Sequence, residues 1–353
     1  MTEDSDSKRR VIETLVGNDL ELLAVLKKRL VALKSAGIQL PADSVDFVSE
    51  SELTAELGDQ LAVGDVRSFL RHAHSLCEDA AELRAAIVFL GPIYSYSYLA
   101  ATKYFGGQAD LVPVATIAAA FEEVERKQAT FAVVPIENNT DGRVVDTLST
   151  FATTPLNICG EVLLPIHHCL IGSCRRAEVV EVHSKPQALS QCRNWLASHL
   201  PDVKLVEVGS TSQAAATAAS EHGIAAIASK EAGFHHGCKV IDENIEDNRD
   251  NVTRFAIIGD QLPLPTGRDK TSLMFKLNHE PGALATAMVL FKEKGINLTW
   301  IESYPMPSCP NEYLFFVELE GHRASDGISE AIQELSGFAQ RLDVLGSYPA
   351  AIR

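Results

Sequence analysis

Phe131-Ala132-Val133-Val134-Pro135-Ile136-Glu137-Asn138-Asn139-Thr140-Asp141-Gly142 sets a short apolar run against a cluster of polar, turn-forming residues. The apolar run reads as a strand over residues 131–134, and the polar cluster as a turn that precedes a helix from Val144. Such a turn leaves backbone N–H groups and the Asn and Thr side chains free to hold a carboxylate, although the string alone fits a plain Asn/Gly turn equally well. The same grammar repeats on both sides. Residues 87–90, 179–183, 204–208, 224–227 and 255–258 read as further strands, and 97–104, 117–127, 188–200 and 212–221 as helices between them. That alternation predicts an α/β region with ligands at the strand ends, long enough for two lobes with a cleft between them.

The flanks follow other patterns. Apolar residues from Ile12 to Leu33 recur mostly at three- and four-residue spacing, which predicts one long amphipathic helix over 9–33, ended by Pro41. A second helix is predicted over 66–83, so residues 1–83 form a helical domain. The α/β region is expected over 84–262. Pro263, Pro265 and Gly267 mark a linker, and residues 268–353 spell βαββαβ, a ferredoxin-like outline.

Composition narrows the function. The 353 residues carry 31 Lys plus Arg and 47 Asp plus Glu, a net charge of −16. A surface this acidic argues against nucleic acid, so an anionic substrate must be held by local positive groups. The seven cysteines are scattered and odd in number, as expected for thiols of a reducing compartment. With no leader-like segment and no 18-residue apolar run, the expectation is a cytoplasmic protein without a membrane span, and two Asn-x-Thr triplets at Asn251 and Asn297 are chance matches. There is no Gly-rich dinucleotide fingerprint, Walker loop or nucleophile elbow, so no nucleotide cofactor is expected. His167, His168, Cys169 and Cys174, and separately His235, His236 and Cys238, lack the paired spacing of a metal site.

Three more polar strings fall at strand ends: Ser184-Lys185-Pro186-Gln187 before a helix with Gln191, Gly209-Ser210-Thr211-Ser212, and Asn251-Val252-Thr253-Arg254-Phe255. Each alone is an N-cap or a solvated turn. Together with Phe89-Leu90-Gly91-Pro92, Ser95-Tyr96-Ser97 and Val134-Pro135-Ile136-Glu137-Asn138, they make the chain resemble prephenate dehydratases, specifically the bifunctional form with an N-terminal chorismate-mutase-like segment. The C-terminal strings Gly282-Ala283-Leu284, Gly295-Ile296-Asn297-Leu298 and Ile301-Glu302-Ser303 resemble an ACT domain.

The resemblance implies a two-lobed, periplasmic-binding-protein-like α/β catalytic region that turns prephenate into phenylpyruvate with no cofactor. It gives Thr253 the proton donation to the departing hydroxyl, with Glu137 and Asn138 as catalytic partners. Substrate contacts are expected from Ser95, Asn139, Ser184, Gln191, Ser210, Thr211, Arg254 and Phe255. Phenylalanine is expected as allosteric inhibitor at Gly282, Ala283, Leu284, Asn297, Leu298, Glu302 and Ser303, in a homodimer or homotetramer. Arogenate dehydration, decarboxylation without loss of the hydroxyl, and a non-catalytic phenylalanine sensor are the competing readings.

Departures from the family pattern stand at Ile93, Tyr94 and Tyr98 after Gly91-Pro92, at Lys185 where His is usual, and at Tyr304 where Arg is usual. In the helical segment Arg29 matches a family Arg. The apolar 38–40 stretch replaces an expected Lys, Ser49-Glu50 stands for Arg-Glu, and Asp79 for Gln, which predicts a decayed mutase domain retained for packing or dimerisation.

Overall fold

The computed structural model describes residues 2–36, 50–57, 61–80, 86–106, 109–306 and 312–351. The expected features at Pro41, 38–40, Ser49 and Leu83 lie outside them. The chain opens with α1 (Thr2–Ala36), α2 (Glu50–Leu57) and α3 (Val63–Ala80). α1 packs on α3, and α3 on the next helix, where the Arg71 guanidinium sits 4.4 Å over the Tyr104 ring. Much of the apolar stripe of α1, including Ile12, Leu15, Val16 and Leu23, stays exposed because α3 alone covers little of it.

The middle region runs β1 (Ala86–Leu90), α4 (Tyr96–Phe105), β2 (Asp110–Val114), α5 (Ile117–Glu125), β3 (Phe131–Asn138), β4 (Gly142–Arg143), α6 (Val145–Phe151) and β5 (Asn157–Pro165). It continues through β6 (Cys169–Gly172), β7 (Glu181–Ser184), α7 (Pro186–Gln191), α8 (Arg193–His199), β8 (Lys204–Glu207), α9 (Thr211–Ser220), β9 (Ile224–Ala228), α10 (Lys230–His236), β10 (Lys239–Asp242) and β11 (Val252–Gly259). Two sheets result. One is ordered β2-β1-β3-β11-β5 with β4 appended to β3, the other β10-β6-β9-β7-β8. The chain crosses between them twice, before β6 and after β10, and Glu246 ties the crossings together. One of its oxygens accepts from the His168 amide at 2.8 Å, and the other meets His167 Nδ1 at 2.8 Å. Burial alone would raise the Glu246 pKa, but these hydrogen bonds hold it below the usual carboxylate range.

Local chemistry explains the boundaries. Ser95, Thr116, Ser210 and Ser229 each accept an N–H of the first turn of the helix they precede. The single helix expected over 188–200 is broken at Cys192, because the Asp247 carboxylate takes the Asn194 and Trp195 amides and starts α8 afresh. β3 runs on to Asn138, four residues beyond the expected end. Pro135 is tolerated there beside a register shift against β11.

The last part is β12 (Asp269–Lys276), α11 (Ala283–Glu293), β13 (Leu298–Pro305), β14 (Tyr313–Glu320), α12 (Asp326–Ser336) and β15 (Arg341–Pro349), an antiparallel sheet ordered β13-β14-β12-β15. It sits against the first lobe. Met274, Phe316, Leu345 and Tyr348 share one core with Ile158, Ala256 and Ile258. Contact with β5 is so close that a Cβ on Gly346 would run into the Ile158 carbonyl.

Candidate active site

β3 and β11 lie antiparallel with Thr253 opposite Asn138 and Arg254 opposite Glu137, and the next pair is Phe255 with Pro135. The skipped residue, Ile136, is a bulge. Without it Glu137 would face Thr253; with it, Asn138 does. The Asn138 amide is held on every side. Its Nδ2 donates to Thr253 Oγ1 at 2.8 Å and to Asn251 Oδ1 at 2.9 Å, and its Oδ1 accepts the Thr140 and Asp141 amides at 2.9 and 3.0 Å. Thr253 Oγ1 is therefore an acceptor here, and among the described residues its own proton has no protein acceptor.

The turn after β3 reaches across to the second lobe. The Asp141 carboxylate accepts from Gln191 Nε2 at 2.7 Å and from Gln187 Nε2. Gln191 Oε1 in turn accepts from Asn251 Nδ2 at 3.3 Å and pairs with His168 Nε2 at 2.9 Å. Burial pushes the His168 pKa down, so the ring is neutral. Because Gln191 Oε1 can only accept, the proton sits on Nε2, and the single Tyr96 hydroxyl proton is shared between Nδ1 and the His167 carbonyl, each 2.9 Å away. The lobes also meet where Tyr94, at φ 63°, stacks on His235 at 3.9 Å and Ser212 Oγ donates to the Ile93 carbonyl. Ile93, Tyr94, Tyr98, Ser212 and His235 line a groove of about 1010 Å³ that is distinct from the Asn138–Thr253 cluster, none of whose residues lines it.

Of the expected residues, Asn138, Thr253 and Gln191 come together. Asn139 lies alongside but fastens the Asp250–Val252 backbone. Ser95 and Ser210 are engaged as helix caps, with Ser95 Oγ also donating to the Leu90 carbonyl. Ser184 is fully buried and donates to the Ile227 carbonyl at 2.6 Å. Thr211 opens α9, whose first turn lines the Tyr94–His235 groove through Ser212 and does not join the Thr253 cluster. Three of the expected residues, Glu137, Arg254 and Phe255, stand away from Thr253 Oγ1. Arg254 points to the opposite face of β11, where Glu137 meets it at 3.1 Å, and Phe255 is closed into the core with Phe89 and Ala100. Strand alternation forces the first, since Thr253 and Arg254 must face opposite ways, whereas Phe255 shares the face of Thr253 and is removed by packing against Phe89 and Ala100. Asn251, Asp141, His168 and Tyr96 were missed. Asn251, Asp141 and Tyr96 lie within the polar strings at the strand ends, whereas His168 stands next to His167 and Cys169 in a run whose spacing signals nothing.

In the C-terminal sheet Gly282, at φ 87°, precedes α11, and Ala283 and Leu284 line a hollow with Asn278 and Tyr313. Asn297 and Leu298 line another with Met288 and Ile301. Within one chain these are separate hollows. Glu302 pairs with Arg143 at 2.6 Å, and Ser303 lies beside it on the edge strand β13.

Residues 87–262 match the sequence profile of the family described as prephenate dehydratase. The bifunctional chorismate mutase/prephenate dehydratase of Aquifex aeolicus is 41% identical over 272 residues, 77% of this chain and 75% of that one. The chain belongs to the prephenate dehydratase family. The like-named bifunctional protein of Neisseria gonorrhoeae is 36% identical over 98% of this chain and 96% of its own, so this family member is matched through its helical segment as well. Among solved structures, the prephenate dehydratase of Arthrobacter aurescens in complex with L-Phe superposes with TM-score 0.70 at 32% identity, covering 75% of this chain and 90% of that one. A quorum-quenching acylase, GqqA, shares the fold with TM-score 0.68 at 31% identity, over 75% and 97%.

Proposed function

We propose that the chain converts prephenate to phenylpyruvate in phenylalanine biosynthesis, and that Thr253 protonates the departing ring hydroxyl. One observation carries this reading: Asn138 donates into Thr253 Oγ1 and leaves the threonine proton free to point at a ligand. The electron pair of the breaking C–COO⁻ bond enters the ring, the C–O bond breaks at the opposite carbon, and the hydroxyl leaves as water after taking that proton. Carbon dioxide is the other product. Threonine is a weak acid, so its donation lags behind C–O cleavage, and the Asn138 amide then stabilises the negative charge left on Oγ1. The gain in aromaticity drives the step. The protein's task is to align the substrate and exclude water.

Arg254 and Phe255 have no part in substrate contact in this reading, and Glu137 acts by holding Arg254. Gln191, clamped by Asp141 and His168, orients the substrate from the second lobe. Phenylalanine inhibition through the C-terminal sheet, a homodimer and a cytoplasmic setting belong to the same proposal. The exposed apolar stripe of α1 and the free edge of β13 support the dimer. The test is Thr253→Val, which keeps the shape and removes the proton. It should lower kcat for prephenate about 10²-fold or more with little change in KM. A kcat near that of the unaltered protein would remove Thr253 from the chemistry.

A further inference from the structure

Arg254 is buried on the face of β11 away from Thr253, and its surroundings come from two parts of the chain. Nε donates to Glu137 of β3 at 3.1 Å, and Nη1 donates to Glu161 of β5 at 3.1 Å and to Glu318 of β14 at 2.5 Å. The Trp300 ring of β13 lies 5.3 Å from the guanidinium carbon. Lys270 of β12 reaches Glu161 at 2.8 Å, and Tyr348 of β15 donates to Glu318. Every strand of the C-terminal sheet thus sends a side chain to this cluster. Burial works against the charge on Arg254, but Glu318 and Glu161 outweigh it and keep the guanidinium protonated.

We propose that Glu318, on the C-terminal sheet, is a positioning residue for the dehydration: it anchors Arg254, Arg254 anchors Glu137, and that chain sets the offset between β3 and β11 that brings Asn138 against Thr253. The inference rests on the dehydratase reading above. Glu137 and Asn138 are consecutive residues on a bulged strand, where the ladder itself holds the offset least firmly. Glu161 stays partnered by Lys270 and by the Ala351 amide without Arg254, whereas the closest partner of Glu318 is Arg254 itself. Misplacing the reacting groups by a fraction of an ångström weakens alignment in the transition state more than it weakens binding. The C-terminal sheet therefore contributes to the dehydratase site even though none of its residues touches the substrate.

The experiment compares steady-state kinetics on prephenate for the full chain and three variants. Glu318→Gln, equal in shape but without the charge, should lower kcat about tenfold and leave KM within about threefold. Glu318→Asp, which keeps the charge, should recover part of that loss. Met274→Ala, which removes an apolar contact in the same interdomain core, should lower the melting temperature but leave kcat within about twofold. Should Glu318→Gln fail to fold, Trp300→Leu carries the test with the same expected split. A kcat within twofold of the unaltered protein for Glu318→Gln, or an equal loss in Met274→Ala, overturns the inference. Absence of prephenate turnover by the unaltered chain would instead overturn the dehydratase reading.

Discussion

At the residue scale, the chemistry depends on which side chain faces Thr253, and a single extra residue decides it. The string Glu137-Asn138-Asn139 announced a polar site, yet nothing in its composition announced the bulge at Ile136 that turns Asn138 inward and Glu137 toward Arg254. Register is a property of two strands, so it is not written in either alone. Asp141 was equally unreadable, because its partners Gln187 and Gln191 lie in the other lobe. Asp141→Ala should raise KM for prephenate roughly tenfold with a smaller effect on kcat, since it frees Gln191; an unchanged KM would show that the clamp is idle. His168 gives a prediction in pH. Its pKa is lowered in the folded protein, so the unfolded chain takes up the proton first as pH falls. The stability it contributes is intact above about pH 6.5 and is lost below, by at most about 1.4 kcal/mol per pH unit. Glu246, also depressed, adds its loss only lower down, below about pH 4.5. Melting temperatures of His168→Asn should accordingly fall less between pH 7 and 5.5 than those of the unaltered protein, and equal slopes would contradict the buried neutral ring.

At the element scale, the most legible segments are those whose pattern is local. The 3.6-residue stripes of α1 and α3 and the βαββαβ order of the C-terminal part needed only local pattern. β5 escaped because Glu161 interrupts its apolar run. That charge is tolerated in a strand interior only because Arg254 and Lys270 meet it there, and it titrates below the usual carboxylate range because those cations outweigh its burial. α10, with His235 and His236, was missed for want of apolar spacing, although Ser229 caps it and Gly237 ends it in a left-handed turn. Contact between β15 and β5 yields a prediction of its own. Gly346→Ala must push the C-terminal sheet off the Ile158 carbonyl, at about 1 to 3 kcal/mol of overpacking. Calorimetry should show a melting temperature lower by several degrees; an unchanged transition would mean that the two sheets are not pressed together.

At the scale of the whole molecule, three parts serve one reaction unequally. The Asn138–Thr253 cluster carries the proposed chemistry, the C-terminal sheet meets its strands through buried charge, and the helical segment packs against the first lobe with much of its apolar face exposed. With Asp79 where the family pattern has Gln, chorismate should be consumed at well under a hundredth of the rate of prephenate. Comparable rates would show that the helices retain a working mutase site. The dehydratase reaction is tested most directly by NMR analysis of the products formed when the purified full chain is given prephenate. The expected result is phenylpyruvate and carbon dioxide in equal amounts from prephenate. Prephenate left intact, or decarboxylated with its hydroxyl retained, would contradict it.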